Sequence, residues 1–435
     1  MPTSQHVSDE VIARLDARFQ ERLEQVPVLR QRAEGEGVKE IGALADLVPL
    51  LFPHTVYKSY PPALVEQGRW AQMNRWLDST SVHRVDVDVE GVTDVDSWIE
   101  RLGEHGHLVS ASSGTTGKSS FLNKSEADIE AVLAAHFEAL AMHGVHPDNS
   151  WNLISTTPDA GNIVGKRSAA RLREGMARPD GVEPFAAAPP AEGHQAYMAR
   201  LTRIRRAVAD GSATPDEIAT MEADAARRQA ESRARMEYYA EQIKAEPGEK
   251  YLFGSMMAMA WQFINVLREK GMVPGDLTGP NALFMAGGTK GAVLPDDAEA
   301  QILAMLNVDN EHFAQHYSMQ EINVSMPRCT ADRYHVRPDL QLLVLDEPAE
   351  QLVPVADDGT VEGRAAFFDF TVDGRWGGTI SGDHVHVDFK PCSCGAAGPT
   401  VGRNIERFAN KADGDKITCA GTMDAYVRGF VPGDD

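Results

Sequence analysis

The sequence has few of the features that place a protein in a membrane or outside the cell. No uninterrupted apolar run approaches the roughly 18 residues that a membrane helix needs. The first ten residues, MPTSQHVSDE, contain neither the basic nor the apolar region of a secretory signal. Only four cysteines occur among 435 residues, and all lie in the last third, which argues against a disulfide framework. We therefore expect a cytoplasmic protein with no membrane partner.

Positive charge is also scarce. The chain has 42 lysines and arginines against 64 aspartates and glutamates, a formal net charge of −22. A surface of that sign repels a phosphate backbone, so nucleic-acid binding is excluded as a main function. The apolar and charged fractions, 43% and 24%, are those of ordinary globular proteins. The chain should fold around a substantial core, as about three units or one large domain with several lobes.

The order of patterns along the chain indicates an α/β fold. Residues 8–25 read as an amphipathic helix that Ser8 caps and Pro27 ends. From Tyr251 onward, short apolar runs alternate with helical patterns, which is typical of α/β layers. The last hundred residues contain several short strand-like runs and predict a smaller, β-rich lobe.

A segment of different amino-acid composition interrupts this order. Residues 165–250 are rich in Arg, Ala and Glu and predict a helical insertion. Thr214, Pro215 and Glu217 supply an N-cap, a first-turn proline and a capping-box acid for a long helix that ends near Lys244. Charges of both signs are interspersed, which is typical of a solvated face. Such helices are candidates for a contact with a second copy of the chain, forming a homodimer, or with a partner protein.

The most specific string in the chain is a Ser/Thr/Gly loop with one lysine. It follows a short apolar stretch and precedes a strongly helical pattern, and strand, loop, helix is the order expected of a phosphate-binding turn. The string consists of Ser112, Ser113, Gly114, Thr115, Thr116, Gly117, Lys118 and Ser119. Its backbone N–H groups, hydroxyls and ammonium suit a polyphosphate. The Walker A spacing is not met, because Ser112 stands where that motif needs glycine. Taken alone, the string is also compatible with a surface turn.

This string resembles the phosphate loop of the adenylate-forming superfamily, which includes the acyl-CoA synthetases, and particularly of its phenylacetate-CoA ligase branch. Ser119 stands where that branch usually has proline. A second similarity is the turn formed by Gly287, Gly288 and Thr289 after an apolar run. The superfamily has such a turn beside the adenine and phosphates, and acyl-protein synthetases have a similar one.

Three further similarities follow in the family's order. Tyr317, Ser318, Met319, Gln320 and Glu321 resemble the superfamily's Tyr-Gly-Met-Thr-Glu string, with departures at the second and fourth positions. Ser381-Gly382-Asp383 is similar to its Thr-Gly-Asp, and Arg407 lies where the family has an arginine. Several motifs in the right order are far stronger evidence than any one of them.

The resemblance implies an AMP-forming carboxylic acid ligase that uses ATP and Mg²⁺. In such an enzyme Lys118 would hold phosphates, Glu321 would bind Mg²⁺ and Arg407 would contact ribose and phosphate, which makes these three the catalytic candidates. Tyr317 would stack on adenine, and Asp383 would bind the ribose hydroxyls. The remaining residues of the loop, of the Gly-Gly-Thr turn and of the Tyr317–Gln320 segment would complete the ATP and AMP site.

The resemblance also implies the domain organisation. It covers most of the chain outside the insertion, and predicts an adenylate-forming large domain over residues 1–425, with two α/β lobes and a β-rich lobe. Residues 426–435 would be a short tail, with the superfamily's mobile C-terminal domain missing. That domain carries a catalytic lysine in relatives, so transfer to CoA is less firmly implied than adenylation.

Three cysteines and one histidine form a candidate metal site. Cys329 and His335 are a Cys-x₅-His pair, and Cys392 and Cys394 are a Cys-x-Cys pair about sixty residues later. Three thiolates and an imidazole satisfy a closed, tetrahedral zinc site of the structural kind. Some phenylacetate-CoA-ligase-like proteins carry zinc at matching places. The alternative is a set of buried thiols beside a hydrogen-bonded histidine.

The sequence also contains candidates for a substrate pocket. Trp151, Phe253, Gly254 and Ser255 are candidates for an apolar pocket that accepts a small aryl or acyl acid. The activated acyl group would pass to CoA, a carrier protein, an amine or a reductase. The alternative to an enzyme is a non-catalytic partner subunit that keeps the fold and binds a nucleotide or an acyl-adenylate.

Overall fold

The chain divides into two compact units in the computed structural model. Unit 1 comprises Met1–Val132 and Met319–Asp435, and unit 2 comprises Leu133–Ser318. The structure describes residues 5, 7–112, 118–157, 163–187, 193–286, 293–410, 415, 417 and 429–430. In that part of the chain, no helix combines the length and the apolar character needed to cross a bilayer.

The elements follow one another as helices and strands along both units. The helices are α1 (Asp9–Gln25), α2 (Pro27–Glu36), α3 (Leu44–Leu47), α4 (Pro62–Glu66), α5 (Trp70–Ser79), α6 (Val95–Glu104), α7 (Glu126–Ala141), α8 (Ile163–Met176), α9 (His194–Asp210), α10 (Pro215–Ala245), α11 (Met257–Glu269) and α12 (Ala298–Leu306). The strands are β1 (Phe52–Pro53), β2 (Leu108–Ala111), β3 (Phe121–Lys124), β4 (Asn152–Ser155), β5 (Tyr251–Ser255), β6 (Ala282–Ala286), β7 (Phe313–Tyr317), β8 (Met326–Pro327), β9 (Arg333–His335), β10 (Leu340–Leu345), β11 (Thr360–Asp369), β12 (Gly378–Asp388), β13 (Thr400–Gly402) and β14 (Glu406–Arg407). Short 3₁₀ turns lie at Val48–Leu50, Val56–Lys58 and Phe408–Asn410.

Unit 2 is built on a parallel sheet with helices on both faces. Strands β4, β5, β6 and β7 are adjacent in that order and parallel. Successive side chains of a strand point to opposite faces, so Leu252 and Phe253 enter two different cores. One core packs β-strand residues against α7 and α8, and the other packs them against α10, α11 and α12. Strands buried on both faces are typical of α/β proteins, and the expected α/β class is confirmed.

The capping signals in the sequence match the observed helix ends. The Ser8 side chain accepts a hydrogen bond from the Val11 N–H at the start of α1. Thr214 and Glu217 form a capping box at the start of α10, where Pro215 occupies the first turn. Pro27 does more than end α1, because it begins α2, where its missing N–H costs nothing. The predicted insertion contains α9, α10 and most of α8.

The insertion is not an independent surface layer. Near the end of α10, Met236, Tyr239, Ala240 and Ile243 are buried in the same core as strand residues of unit 2. The first half of α10 is mostly exposed or half-buried. The solvated face that the charges predict is therefore confined to part of the segment.

Unit 1 contains the predicted β-rich part. Strands β10, β11, β12, β13 and β9 are adjacent in that order and antiparallel, and β1 and β14 also pair with β12. The sequence runs AAFFDFTV and HVHVDF fall mainly in β11 and β12. A separate antiparallel hairpin joins β2 and β3.

The position of the Ser/Thr/Gly string differs from the predicted strand, loop, helix order. The Ser/Thr/Gly string lies between two paired strands, with Ala111 opposite Phe121, and not between a strand and a helix. Helix α7 begins only after β3. The four-residue strand Phe121–Lys124 is too short to stand out in the sequence beside the capping signals of the helix that follows it.

A buried polar network ties this hairpin to the rest of unit 1. Asp128 in α7 accepts hydrogen bonds from Asn323 Nδ2 at 2.6 Å and from the N–H groups of Asp373 and Gly374. Lys124 Nζ donates to Asn323 Oδ1 at 2.7 Å. The Arg375 guanidinium lies 3.8 Å from Asp128 Oδ2. Burial opposes ionisation of Asp128, but Arg375, Lys124 and these hydrogen bonds together lower its pKa to about 2.

We expect Asp128→Asn to lower the free energy of unfolding by about 3 kcal/mol, because it leaves a buried arginine and lysine without their counter-charge. The Asp128 carboxylate stabilises the fold fully above its unfolded pKa of about 4, and this stabilisation disappears as the pH falls toward about 2. The difference between wild type and variant should therefore shrink in acid. Urea unfolding at several pH values measures it. Glu130→Gln, an exposed change on the same helix, is the matched control; an equal effect of both variants would contradict the network's role.

Candidate functional site

The ends of the Ser/Thr/Gly loop are held together in unit 1. The Ser112 N–H donates to the Ser120 carbonyl at 3.0 Å, and the Ser120 N–H donates to Ser112 Oγ at 2.7 Å. These bonds extend the β2–β3 pairing by one step, so the loop leaves a fixed base. Ser113, Gly114, Thr115, Thr116 and Gly117 lie outside the described residues, as do Gly287, Gly288 and Thr289.

Lys118 is positioned by an aromatic residue that sequence reasoning missed. Its Nζ donates to the Tyr60 carbonyl at 2.7 Å and lies 4.8 Å from the centre of the Tyr60 ring. The Tyr60 hydroxyl in turn donates to the Ser119 carbonyl at 3.0 Å. Tyr60 is buried, and burial raises the pKa of its phenol. The ammonium group is therefore held by a hydrogen bond and a cation–π contact with Tyr60, whose hydroxyl also bonds to the backbone next to Lys118.

The segment after Tyr317 reaches the same hairpin. Tyr317 and Ser318 end unit 2, and Met319 begins the second part of unit 1. In unit 1, Gln320 Nε2 donates to the Ala111 carbonyl at 3.2 Å, directly before the loop. Arg375 Nη2 donates to the Glu321 carbonyl at 3.3 Å, and its Nη1 donates to the Asn123 carbonyl at 2.8 Å. The segment is thus fixed to the two strands of the hairpin.

Glu321 is half-buried and lies near positive charges. Burial raises the pKa of its carboxyl group, while the charges of Lys58, Arg375 and Lys124 oppose the shift. An oxygen ligand in this position suits a hard cation such as Mg²⁺.

Asp383 and Arg407 meet across two strands. They are directly opposite in the β12–β14 ladder, and Arg407 Nε lies 3.4 Å from Asp383 Oδ1. The Asp383 side chain is 10% exposed and the Arg407 side chain 70% exposed, so the arginine is accessible to a ligand. The Asp383 N–H also donates to Ser381 Oγ at 3.1 Å, which fixes the turn.

A buried arginine, Arg364, bonds to the backbone beside this pair. Arg364 is fully buried, and its Nη1 donates to the Ser381 carbonyl at 3.0 Å. Its Nη2 lies 2.9 Å from Asp415 Oδ1, and its guanidinium lies 3.9 Å from the Phe408 ring. His54 Nε2 is 3.8 Å from Asp415 Oδ2. No sequence signal distinguished Arg364 or His54 from other arginines and histidines.

The four metal-ligand candidates converge in unit 1. Their ligand atoms all lie within 4.8 Å of one another. Cys329 Sγ is 3.8 Å from Cys392 Sγ, and Cys394 Sγ is 3.3 Å from His335 Nε2. Around a tetrahedral Zn²⁺, two sulfurs are roughly 3.8 Å apart, and a sulfur and a nitrogen roughly 3.5 Å apart. Burial and the charge of Arg333 lower the pKa of His335, which favours the neutral imidazole that a metal binds.

Two turns position these ligands. In the first, the Cys329 N–H donates to the Arg333 carbonyl at 2.9 Å. In the second, the Gly395 N–H donates to the Cys392 carbonyl at 2.9 Å. Gly395 has a φ of 91°, a conformation that strongly favours glycine, so the Cys-x-Cys-Gly order has a physical reason. The residues present therefore fit a structural zinc ion.

The predicted substrate-pocket residues separate in unit 2. Trp151 belongs to the core on one face of the parallel sheet and Phe253 to the core on the other. Ser255 Oγ lies 2.7 Å from Thr156 Oγ1. Gly254 lines a cavity of about 360 Å³, together with residues of β4, α7, α8 and α10.

The fold built by these elements is similar to that of solved ligases. An open conformation of 2-hydroxyisobutyryl-CoA ligase, in complex with 2-HIB-AMP and CoA, matches with a TM-score of 0.57 at 15% identity, over 92% of this chain and 70% of that chain. The same ligase in its postadenylation state, in complex with R3-HIB-AMP, matches with a TM-score of 0.55 at 14% identity, over 92% and 67% of the two chains.

The chain has the fold of the adenylate-forming ligases. No family model matches it, and no curated protein sequence does. Within this fold, Lys118, Gln320, Glu321, Asp383 and Arg407 belong to unit 1, whereas Tyr317 and Ser318 belong to unit 2, as do the four pocket candidates.

Proposed function

We propose that this protein activates a small carboxylic acid with ATP, forming an acyl-adenylate and releasing pyrophosphate. The observation that carries the proposal is the Asp383–Arg407 pair. Both residues were assigned to ribose from separate motifs, and they lie 3.4 Å apart in a chain with the adenylate-forming ligase fold. A buried acceptor beside an accessible guanidinium suits a ribose diol next to a phosphate.

The reaction depends more on the alignment of the two reactants than on acid–base catalysis. An oxygen of the substrate carboxylate attacks the α-phosphorus of ATP, the bond to the bridging oxygen breaks, and pyrophosphate leaves with those electrons. A carboxylate is already a competent nucleophile at neutral pH. The protein therefore has to hold the two reactants in line and neutralise the charge on the phosphates.

The residues of unit 1 divide this task. Lys118 supplies a positive charge at the base of the phosphate loop, where Tyr60 holds it. Mg²⁺, when bound, would neutralise charge on the triphosphate, and Glu321 supplies the carboxylate for it. Arg375 donates to the carbonyls of Glu321 and Asn123, so it links the backbone of the proposed metal ligand to β3.

The acceptor of the acyl group is proposed to be CoA. The ligase with a similar fold was crystallised with CoA. A phenylacetate-CoA ligase-like enzyme is the branch that the loop sequence favours, with a carrier protein, an amine or a reductase as other acceptors of the same activated acyl group.

We also propose that the Cys₃His cluster holds one structural Zn²⁺. The donor set and the two measured distances support it. Four protein ligands leave no position for a substrate, so the ion would stabilise the fold and take no part in adenylation.

We expect Asp383→Asn and Arg407→Met each to raise the KM for ATP by about tenfold or more, because each removes charge-assisted hydrogen bonds to the nucleotide. Exchange of labelled pyrophosphate into ATP, with a panel of aryl and alkyl acids, measures the effect. Glu406→Gln changes an exposed charge beside Arg407 in β14 and is the matched control. If ATP binds but no acid supports exchange, the enzyme proposal fails, and a nucleotide-binding partner subunit is the better description.

We expect metal analysis of the purified protein to give about one zinc per chain. Cys392→Ser should abolish this metal and lower the melting temperature, because ligand loss removes binding energy that folding uses. Ser393→Ala, an exposed change between the two ligands, should leave both unchanged. A metal-free wild-type protein of full stability would contradict the zinc proposal.

A further inference from the structure

Two histidines and a phenylalanine form an aromatic cluster in unit 2. His136 comes from α7, Phe284 from β6 and His316 from β7. The ring centroids of the two histidines are 5.4 Å apart, and the Phe284 ring lies 5.7 Å from His136 and 5.1 Å from His316. His136 and His316 are called the histidine pair below, and neither belongs to a motif in the sequence.

The histidine pair has one unpartnered buried atom. His316 is 5% exposed, and its Nδ1 is buried without a hydrogen-bond partner. His136 Nδ1, by contrast, lies 3.3 Å from Ser168 Oγ. A buried polar atom without a partner costs about 1–3 kcal/mol, so one that a fold retains calls for an explanation. A bound ligand that supplies the missing hydrogen bond is such an explanation.

The position of the pair favours a ligand. β6 and β7 are parallel neighbours, and Ala286 and His316 are partners near the carboxyl ends of the two strands. Ligands of open α/β sheets bind outside the carboxyl ends of the strands. Phe284, which contacts both histidines, also lines the cavity of about 360 Å³, so the pair lies one side chain from that cavity. His316 directly precedes Tyr317 in the chain.

The charge of the pair restricts the ligand group. Burial lowers the pKa of His136 to about 4, and burial together with His136 lowers that of His316 to about 3. Both imidazoles are therefore neutral at pH 7. A neutral imidazole forms hydrogen bonds as donor or acceptor but offers no counter-charge to a second carboxylate. A hydroxyl group, which both donates and accepts, matches it.

We propose that the histidine pair recognises an uncharged, hydrogen-bonding substituent on the acid, so that the substrates are small hydroxy-substituted acids and not their plain alkyl or aryl parents. This inference rests on the proposed adenylation and names its substrate class. His316 and His136 act as specificity residues, since an acid without the substituent leaves Nδ1 unpaired.

The test is pyrophosphate exchange with matched pairs of acids: 2-hydroxy and 3-hydroxy short-chain acids and hydroxylated aryl acids, each against the parent with hydrogen or methyl in place of the hydroxyl. We expect kcat/KM to favour one hydroxy acid about tenfold or more in the wild type. His316→Phe should remove this preference, and His316→Asn, which keeps a hydrogen-bonding atom on Cγ, should restore part of it. His143→Gln, whose ring bonds the Glu311 carbonyl elsewhere in unit 2, should leave the preference unchanged. Equal rates for every pair in the wild type would overturn the inference while leaving adenylation standing.

A second measurement does not depend on turnover or on the folding of a variant. In wild-type protein with ¹⁵N-labelled histidine, one hydroxy acid of the panel should shift the His316 Nδ1 resonance, and its parent acid should not. A shift without any exchange would support the binding site and contradict adenylation. The absence of both a shift and exchange would overturn the inference together with the proposed function.

Discussion

The buried contact between Arg375 and Asp128 is the constraint on which the rest of unit 1 depends. Arg375 is 1% exposed and Asp128 is fully buried, so both charges have left water and must be satisfied internally. Arg375 does so by donating to the carbonyls of Asn123 and Glu321. One guanidinium therefore fixes the strand that follows the Ser/Thr/Gly loop and the backbone of the residue proposed to hold Mg²⁺. Burial and the charge of Arg375 lower the pKa of Lys124 to about 7.

The sequence predicted the parts of the fold that local chemistry determines. Helix caps at Ser8 and Thr214 depend on a few neighbouring residues, and both were found as expected. The α/β alternation depends on apolar runs and was also correct. The hairpin around the Ser/Thr/Gly loop was missed, because strand pairing is decided by a partner segment and not by the four residues of β3. Trp151 and Phe253 separate for a similar reason: only the register of β4 and β5 determines which face each residue enters.

The candidate site likewise contains residues that the sequence predicts and residues that it does not. The sequence strings that resemble motifs of a known family contain Lys118, Glu321, Asp383 and Arg407. Arg364, in β11, and Arg375, in the turn between β11 and β12, bond to the backbone beside those residues, and nothing in their sequence neighbourhood marks them. Tyr60 is recognisable only once the loop has been folded against it.

The proposed zinc ion and the proposed ribose site share one sheet, and this has a mechanical consequence. His335 lies in β9, which pairs with β13, and β13 pairs with β12, the strand that carries Asp383. β9 and β13 are three residues long, at the short end of the usual range, and so make few backbone hydrogen bonds. A metal bound by Cys329, His335 and the Cys392–Cys394 turn would tie that edge to two loops. Such an ion would therefore stabilise β12, which carries Asp383, through two ladders of hydrogen bonds, although none of its ligands belongs to the proposed ribose pair.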